Sequence, residues 1–240
     1  MNKQSNTYTV VYIIVLVVVV GAALAFTSMS LRDRQIANAN ADKMKQILAS
    51  VRIECDAKDV KDKFNKHITA MLVVDTEGNV VKTGGSDDME IFNIDVAAQA
   101  KLADSERELP VYVCTLADDR LEYIIPVSGN GLWGQIWGYV ALDADGSTVY
   151  GAYFSHASET PGLGAEIANP KFQKEFIGKE FFKNGRFLPV TVVKAGQRPT
   201  DGSDYVDGIS GGTITSKGVG AMLDNCLRLY DAFLQSRLNK

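Results

Sequence analysis

Four hydroxyls crowd the stretch DGISGGTITS, Asp207 to Ser216: Ser210, Thr213, Thr215 and Ser216, with Gly211 and Gly212 between them and Lys217 immediately after. Adjacent glycines let a bulky anion approach the backbone. A helix starting here would turn unpaired N–H groups and the positive end of its dipole toward a phosphate. Thr215 and Ser216 are each suited to cap that helix, which would leave Ser210 to Thr213 in the turn before it. The stretch is neither a G-x-x-x-x-G-K-[ST] loop nor a G-x-G-x-x-G fingerprint. Spacing alone therefore leaves two readings, a phosphate site or a tight turn that starts a helix.

A second group is SHASETPGLG, Ser155 to Gly164. Pro161-Gly162 sets a turn, and Gly164 permits close approach of a ligand or of backbone. Thr160 and nearby amides have the polarity to bond ring heteroatoms, with Leu163 packing on a ring face. His156, alone beside a turn, reads as structural rather than as an acid or base. A third group, GNGLWGQIWG from Gly129 to Gly138, carries two tryptophans among glycines. At least one should pack in the core of a hairpin, and the other is available to wall an aromatic pocket.

These groups need a scaffold. Runs rich in Val, Ile, Tyr and Trp at Pro110–Leu116, Leu121–Val127, Trp137–Leu142 and Thr148–Phe154 are divided by Asp- and Gly-rich turns, which predicts an antiparallel meander. Met71 to Val81 predicts a further hairpin turning at Gly78-Asn79. A helix is expected at about Ala165–Phe176 and a strand at Leu188–Lys194. Lys217 to Arg237 spaces Val219, Met222, Leu223, Cys226, Tyr230, Phe233 and Leu234 as one face of an amphipathic helix, with the Tyr230 hydroxyl at the edge of the stripe. The segment Gly84–Glu108 is polar and weakly patterned.

Ahead of this body, Val10 to Phe26 is an uncharged apolar run close to the length that spans a bilayer. Ala23-Leu24-Ala25 would also suit a signal-peptide cleavage site. A cleaved core is typically shorter and its leading segment more basic, so a retained anchor is the expectation. Arg32, Arg34, Lys43 and Lys45 after the span outnumber Lys3 before it. Charge bias alone would put the body in the cytoplasm, yet large domains cross despite such charges, which leaves the side open. Leu31 to Val51 should form a juxtamembrane helix. The fold class expected is α+β: a transmembrane helix, a mixed α+β body with a largely antiparallel sheet, and a C-terminal amphipathic helix. The divisions are 1–30 for the anchor, 31–109 for the juxtamembrane helix and an N-terminal α+β lobe, and 110–240 for the rest.

The net charge of −4 gives no footprint for nucleic acid. Three scattered cysteines, Cys55, Cys114 and Cys226, read as buried thiols, and two histidines leave little for a metal centre, so none is assigned. Redox chemistry in such a chain would need a borrowed cofactor.

Together, GNGLWGQIWGY, HASETPGLG and DGISGGTITSKGV behind a single span resemble the C-subunit family of the Na⁺-translocating NADH:quinone reductases, which carry an FMN-binding domain. The three motifs cover roughly the C-terminal half, which makes 110–240 the FMN-binding domain. The resemblance implies FMN attached covalently through its phosphate to a threonine in the pattern D-G-x-[ST]-G-A-[ST]. Asp207, Gly208, Ile209, Ser210, Gly211, Gly212 and Thr213 occupy that pattern, with Gly212 where Ala is usual, so Thr213 would bear the flavin. Ser210, Gly211, Gly212, Thr215, Ser216 and Lys217 would support it, and Glu159, Thr160, Gly162, Leu163, Gly164 and Trp133 would surround the ring. No histidine lies near Thr213 in sequence to activate its hydroxyl, so self-attachment is not expected. The resemblance implies an FAD-dependent, Mg²⁺-requiring flavin transferase instead. It further implies a single-pass protein of a bacterial inner membrane with its body on the periplasmic side, in contact with lipid and with the other subunits of the complex. Its task would be to relay electrons through FMN within an enzyme that oxidises NADH, reduces ubiquinone and exports Na⁺. Two alternatives stand beside this: the G subunit of an Rnf-type electron-transport complex, and an anchored sensory or ligand-binding module without redox chemistry.

Overall fold

The computed structural model describes residues 6–238, so Lys3, used in the charge balance, lies outside the described residues. The chain forms two compact units, Met1–Lys43 and Met44–Lys240. Helix α1 (Asn6–Ser50) is continuous through the apolar run and the polar stretch that follows it. In the first unit the side chains from Val10 to Val20, with Leu24 and Phe26, are exposed. By length and composition this helix is able to cross a membrane.

In the second unit the end of α1 buries Met44, Ile47, Leu48 and Ser50. Then come α2 (Val60–His67), β1 (Ile68–Val74), β2 (Val80–Gly84), α3 (Met89–Phe92) and α4 (Val96–Gln99). The meander follows as β3 (Leu109–Thr115), β4 (Leu121–Asn130), β5 (Gln135–Asp143) and β6 (Val149–His156). The remainder is α5 (Pro170–Lys174), β7 (Phe182–Lys183), β8 (Arg186–Phe187), β9 (Thr191–Val193), β10 (Tyr205–Asp207), α6 (Thr213–Leu229) and α7 (Asp231–Leu238).

Six strands make one sheet in the order β2-β1-β3-β4-β5-β6, antiparallel at every pairing. The expected class holds: an apolar N-terminal helix, then an α+β body with an antiparallel sheet and C-terminal helices. The boundary expected at 109/110 falls inside β3, which pairs with β1. Side chains alternate between the two faces. Val111, Val113, Ile125, Val127, Ile136 and Val140 point toward α6 and join Val219, Met222, Leu223 and Tyr230 in one apolar cluster. Residues of opposite parity, among them Tyr112, Ile124 and Trp137, face the other way. The Trp137 indole N–H there donates to Gln46 Oε1 near the end of α1 (3.0 Å).

Several elements differ from expectation, each for a local reason. The helix expected at 165–176 is a 3₁₀ turn (Gly164–Ala168) followed by α5, because Pro170 supplies no N–H to continue the ladder and Asn169 caps a new start by accepting from Lys171 N. Only Thr191–Val193 of the expected strand 188–194 is extended and paired, since Pro189 interrupts its start. The last helix starts four residues early, at Thr213, and breaks at Tyr230, where the backbone leaves helical geometry. Tyr230 is wholly buried rather than at an edge, its hydroxyl donating to Pro110 O (3.1 Å). The segment 84–108 is not featureless: Asp88 and Asp95 cap α3 and α4. Cys114 and Cys226 are buried, while Cys55 is half-exposed.

Candidate functional site

Helix α6 sets the site because it is fixed closely on the sheet. A Cβ at Gly129 would stand 2.8 Å from Met222 Cβ, and one at Gly218 would stand 2.5 Å from Asn130 O, so glycines allow the helix to settle on the end of β4. The Cys226 thiol adds a stitch, donating to Ser128 O (3.2 Å) and accepting from Ser128 N (3.4 Å). The helix N-terminus is thereby brought beside the β4–β5 turn, Gly131 to Gly134.

The chain reaches α6 from a parallel pair, β9 with β10, and Gly208 N donates to Val193 O (2.6 Å). Gly211 then takes a left-handed conformation (φ +76°), which residues with a Cβ adopt at a cost. Gly212 is the N-cap, and the first i to i−4 bond runs from Ser216 N to Gly212 O (2.9 Å). Neither Thr215 nor Ser216 caps the helix, contrary to expectation: both lie inside its first turn. Thr215 Oγ1 donates to Glu159 Oε2 (2.6 Å), and Ser216 Oγ accepts from Ile209 N (3.0 Å). Both are buried, whereas Ser210 and Thr213 are exposed, with no side-chain hydrogen bond among the described residues. No side chain caps α6, unlike α3, α4 and α5. Its first-turn N–H groups therefore suit an anion as their cap.

Ser210, Gly211, Thr213, Ser216 and Lys217 line a hollow of about 160 Å³ with Val193 and Lys194. Lys217 lies four residues after Thr213, on the same face of the helix. Lys194 was not legible as a site residue: it reaches this hollow only because β9 and β10 pair in parallel, and nothing in its local sequence marks it. Two ammonium groups beside an uncapped helix end favour a phosphate.

The second and third motifs close around the same turn. Leu163 lies over the glycines: a Cβ on Gly211 would stand 2.6 Å from Leu163 Cδ2, and one on Gly212 would stand 3.0 Å from Leu163 O. Thr160, Gly162 and Leu163 are exposed, and Thr160 O accepts from Leu163 N and Ala165 N (both 3.1 Å) across the Pro161-Gly162 turn. Trp133 is 66% exposed and Ile214, next to Thr213, 58%. With Leu132 and Leu163 they give this end of the body an exposed apolar surface. Trp137 belongs to the other face of the sheet.

Glu159 and Gly164 lie beneath that surface. Glu159 is only 5% exposed, and its Oε1 accepts from Trp133 N (2.8 Å) while Oε2 accepts from Thr215. Burial pushes its carboxyl pKa up; hydrogen bonds from Thr215, Trp133 and Leu132, with His156 nearby, outweigh this and hold it below the ordinary value. His156 Nδ1 accepts from Glu159 N (3.2 Å), which puts the proton of a neutral ring on Nε2 and supports a structural role. An exposed threonine hydroxyl, cations, an open helix end and an apolar rim with one aromatic side chain are the groups that a phosphorylated aromatic cofactor requires, and FMN fits them.

Comparison with known proteins agrees. The FMN-binding domain family matches residues 131–228. The C subunit of the Na(+)-translocating NADH-quinone reductase of Vibrio campbellii is 33% identical over 93% of this chain and 91% of its own length. That of Pseudomonas aeruginosa is 32% identical over 97% of this chain and 96% of its own. The crystal structure of the corresponding protein from Parabacteroides distasonis superposes with a TM-score of 0.77 at 45% identity, covering 85% of this chain and 96% of that one.

Proposed function

The chain belongs to the C-subunit family of the Na⁺-translocating NADH-quinone reductases, and on that premise we propose that it carries FMN esterified through its phosphate to the Thr213 hydroxyl. It is a membrane flavoprotein subunit of an oxidoreductase complex, with an FMN-binding domain and other subunits as partners.

The observation that carries the attachment is the division among the hydroxyls: Thr215 and Ser216 are buried and occupied, while Thr213 opens to solvent at the uncapped start of α6. Ser210, also exposed, sits in the turn before the helix. At Thr213 the phosphodiester keeps one negative charge, which the first-turn amides, Lys194 and Lys217 stabilise. Gly211 supplies the exposed left-handed turn, and Gly212 lets the Leu163–Gly164 backbone lie close against the helix start. Trp133, Leu163 and Thr160 are the groups for the ring: an aromatic side chain, an apolar contact and a hydroxyl. Glu159 and Gly164 support them from below. FMN supplies electron acceptance and release, and the protein supplies position and electrostatics.

A threonine alcohol is a weak nucleophile without an adjacent base. We therefore assign attachment to an FAD-dependent flavin transferase. Residues 110–240 form the flavin-bearing part and 1–30 the anchor, with the body on the periplasmic face of a bacterial inner membrane and lipid around the span. The whole complex oxidises NADH, reduces ubiquinone and moves Na⁺, and this protein relays electrons inside it.

Flavin fluorescence on a denaturing gel tests the proposal, since only covalently held flavin migrates with the chain. An Rnf-type G subunit would bring different partners through purification, and a sensory module would hold no covalent flavin after expression with a competent transferase.

A further inference from the structure

Residues 158 and 159 hold Trp133 by the two peptide units that flank its Cα. Ser158 Oγ donates to Trp133 O (2.9 Å), while Glu159 Oε1 accepts from Trp133 N (2.8 Å). The other Glu159 oxygen accepts from Thr215, the third residue of α6 and two beyond Thr213. The carboxylate is also enclosed by backbone: a Cβ added at Gly131 would strike Oε1, and one at Gly164 would strike Oε2 and the Thr215 hydroxyl. A chain of short contacts therefore runs from the Trp133 backbone through one buried carboxylate to the first turn of α6. Trp133 itself packs little, being among the most exposed large side chains of the body. Its placement depends on its backbone rather than on neighbours around the indole.

We infer that Glu159 is a positioning residue, a buried clamp that fixes the Trp133 turn relative to the first turn of α6 and so presents the indole as a wall beside whatever is attached at Thr213. This rests on the proposed FMN attachment for its functional meaning, though the clamp itself is a property of the protein alone. Removing the carboxylate strips a partner from three donors at once, the Thr215 hydroxyl and the Trp133 and Leu132 amides. The Trp133 turn, left with the Ser158 contact and the Gly131 N to Gly134 O bond, opens more often, and the indole no longer holds one position.

Two measurements on the full-length chain in detergent test this. In the chain without flavin, amide hydrogen exchange at 132–134 should quicken about tenfold in Glu159→Ala and less in Glu159→Gln, whose side-chain oxygen still accepts from Trp133 N. Exchange at Ile124 and Val140, in the middle of the sheet, should stay slow as the check on folding. Thr215→Val, which removes one arm only, should fall between wild type and Glu159→Ala. In the flavin-loaded chain, Trp133→Phe should raise the fluorescence yield by removing an indole quencher, and Glu159→Ala should raise it toward the same level although Trp133 is still present.

Unchanged exchange at 132–134 in a folded Glu159→Ala chain overturns the clamp. If that variant does not fold, wild-type exchange in Thr215→Val overturns it instead. A fluorescence yield that responds to Trp133→Phe but not to Glu159→Ala overturns the positioning role. Failure of wild type itself to acquire flavin would refute the attachment at Thr213 while leaving the exchange test of the clamp intact.

Discussion

The Thr215 hydroxyl donates a 2.6 Å hydrogen bond to Glu159 Oε2, joining two buried residues 56 positions apart in the chain. That contact ties the loop after β6 to the start of α6. It also takes one of four clustered hydroxyls out of play, as the Ile209 amide does for Ser216. The site consequently offers an incoming phosphate two hydroxyls, of which Thr213 stands on the helix and Ser210 on the turn before it.

Two glycines of the Pro161–Gly164 turn should respond differently to alanine. At Gly164 the added methyl would meet Glu159 Oε2 and the Thr215 hydroxyl, both held by the buried clamp, so a loss of roughly 1–3 kcal/mol is expected. At Gly162 nothing lies within 4 Å, and only the left-handed backbone (φ +75°) opposes the change, for roughly 1–2 kcal/mol. Urea unfolding of the two variants should rank Gly164→Ala as the more damaging. Its thermal midpoint should also fall further.

Stability should depend on pH through Glu122. This residue is 1% exposed near the start of β4, with Oε2 lacking a hydrogen-bond partner among the described residues. Burial and then Asp143, its neighbour across the β4–β5 ladder, push it from 4.5 to about 8, and Arg120 and Arg52 oppose this. Because the folded value is the higher one, the native state holds a proton that the unfolded chain has already lost. Its contribution is thus fully present below pH 4.5 and is lost as pH rises to about 8. Glu122→Gln should flatten that decline, gaining on wild type across the window at a rate of up to about 1.4 kcal/mol per pH unit. Denaturant midpoints measured at pH 5, 6, 7 and 8 check the prediction, and parallel curves for the two proteins would contradict it.

The N-terminal helix should remain on the mature chain. Val10 to Phe26 is exposed and apolar along its length, as a span in lipid requires. The intact mass of protein extracted from membranes should therefore include residues 1–26. A chain beginning at Phe26 would show instead that the run is a removed signal.

Much of this body is written locally. Val, Ile and Tyr runs between Asp- and Gly-rich turns place β3 to β6 within a few residues, and Gly78-Asn79 places the first hairpin. What escapes a local reading depends on distant partners. Thr215 and Ser216 have the chemistry of N-caps, and only Glu159 and Ile209, folded onto them, decide that they do otherwise. The same fold brings Lys194 to the hollow beside Thr213 through a parallel strand pair that no local pattern announces. Glu159 enters the expectation only through the family resemblance, and its burial, set by Gly131 and Gly164, is not written locally. Pro170, by contrast, is a helix breaker visible in the sequence itself, and it divides the helix expected at 165–176.

Covalent flavin at one hydroxyl is the central claim, and in-gel fluorescence after co-expression with a competent flavin transferase tests it most directly. Wild type and Ser210→Ala should both give a fluorescent band at this chain's mass, and Thr213→Ala should give none while folding normally. A Thr213→Ala band as bright as wild type, or a dark wild-type band, would contradict the assignment.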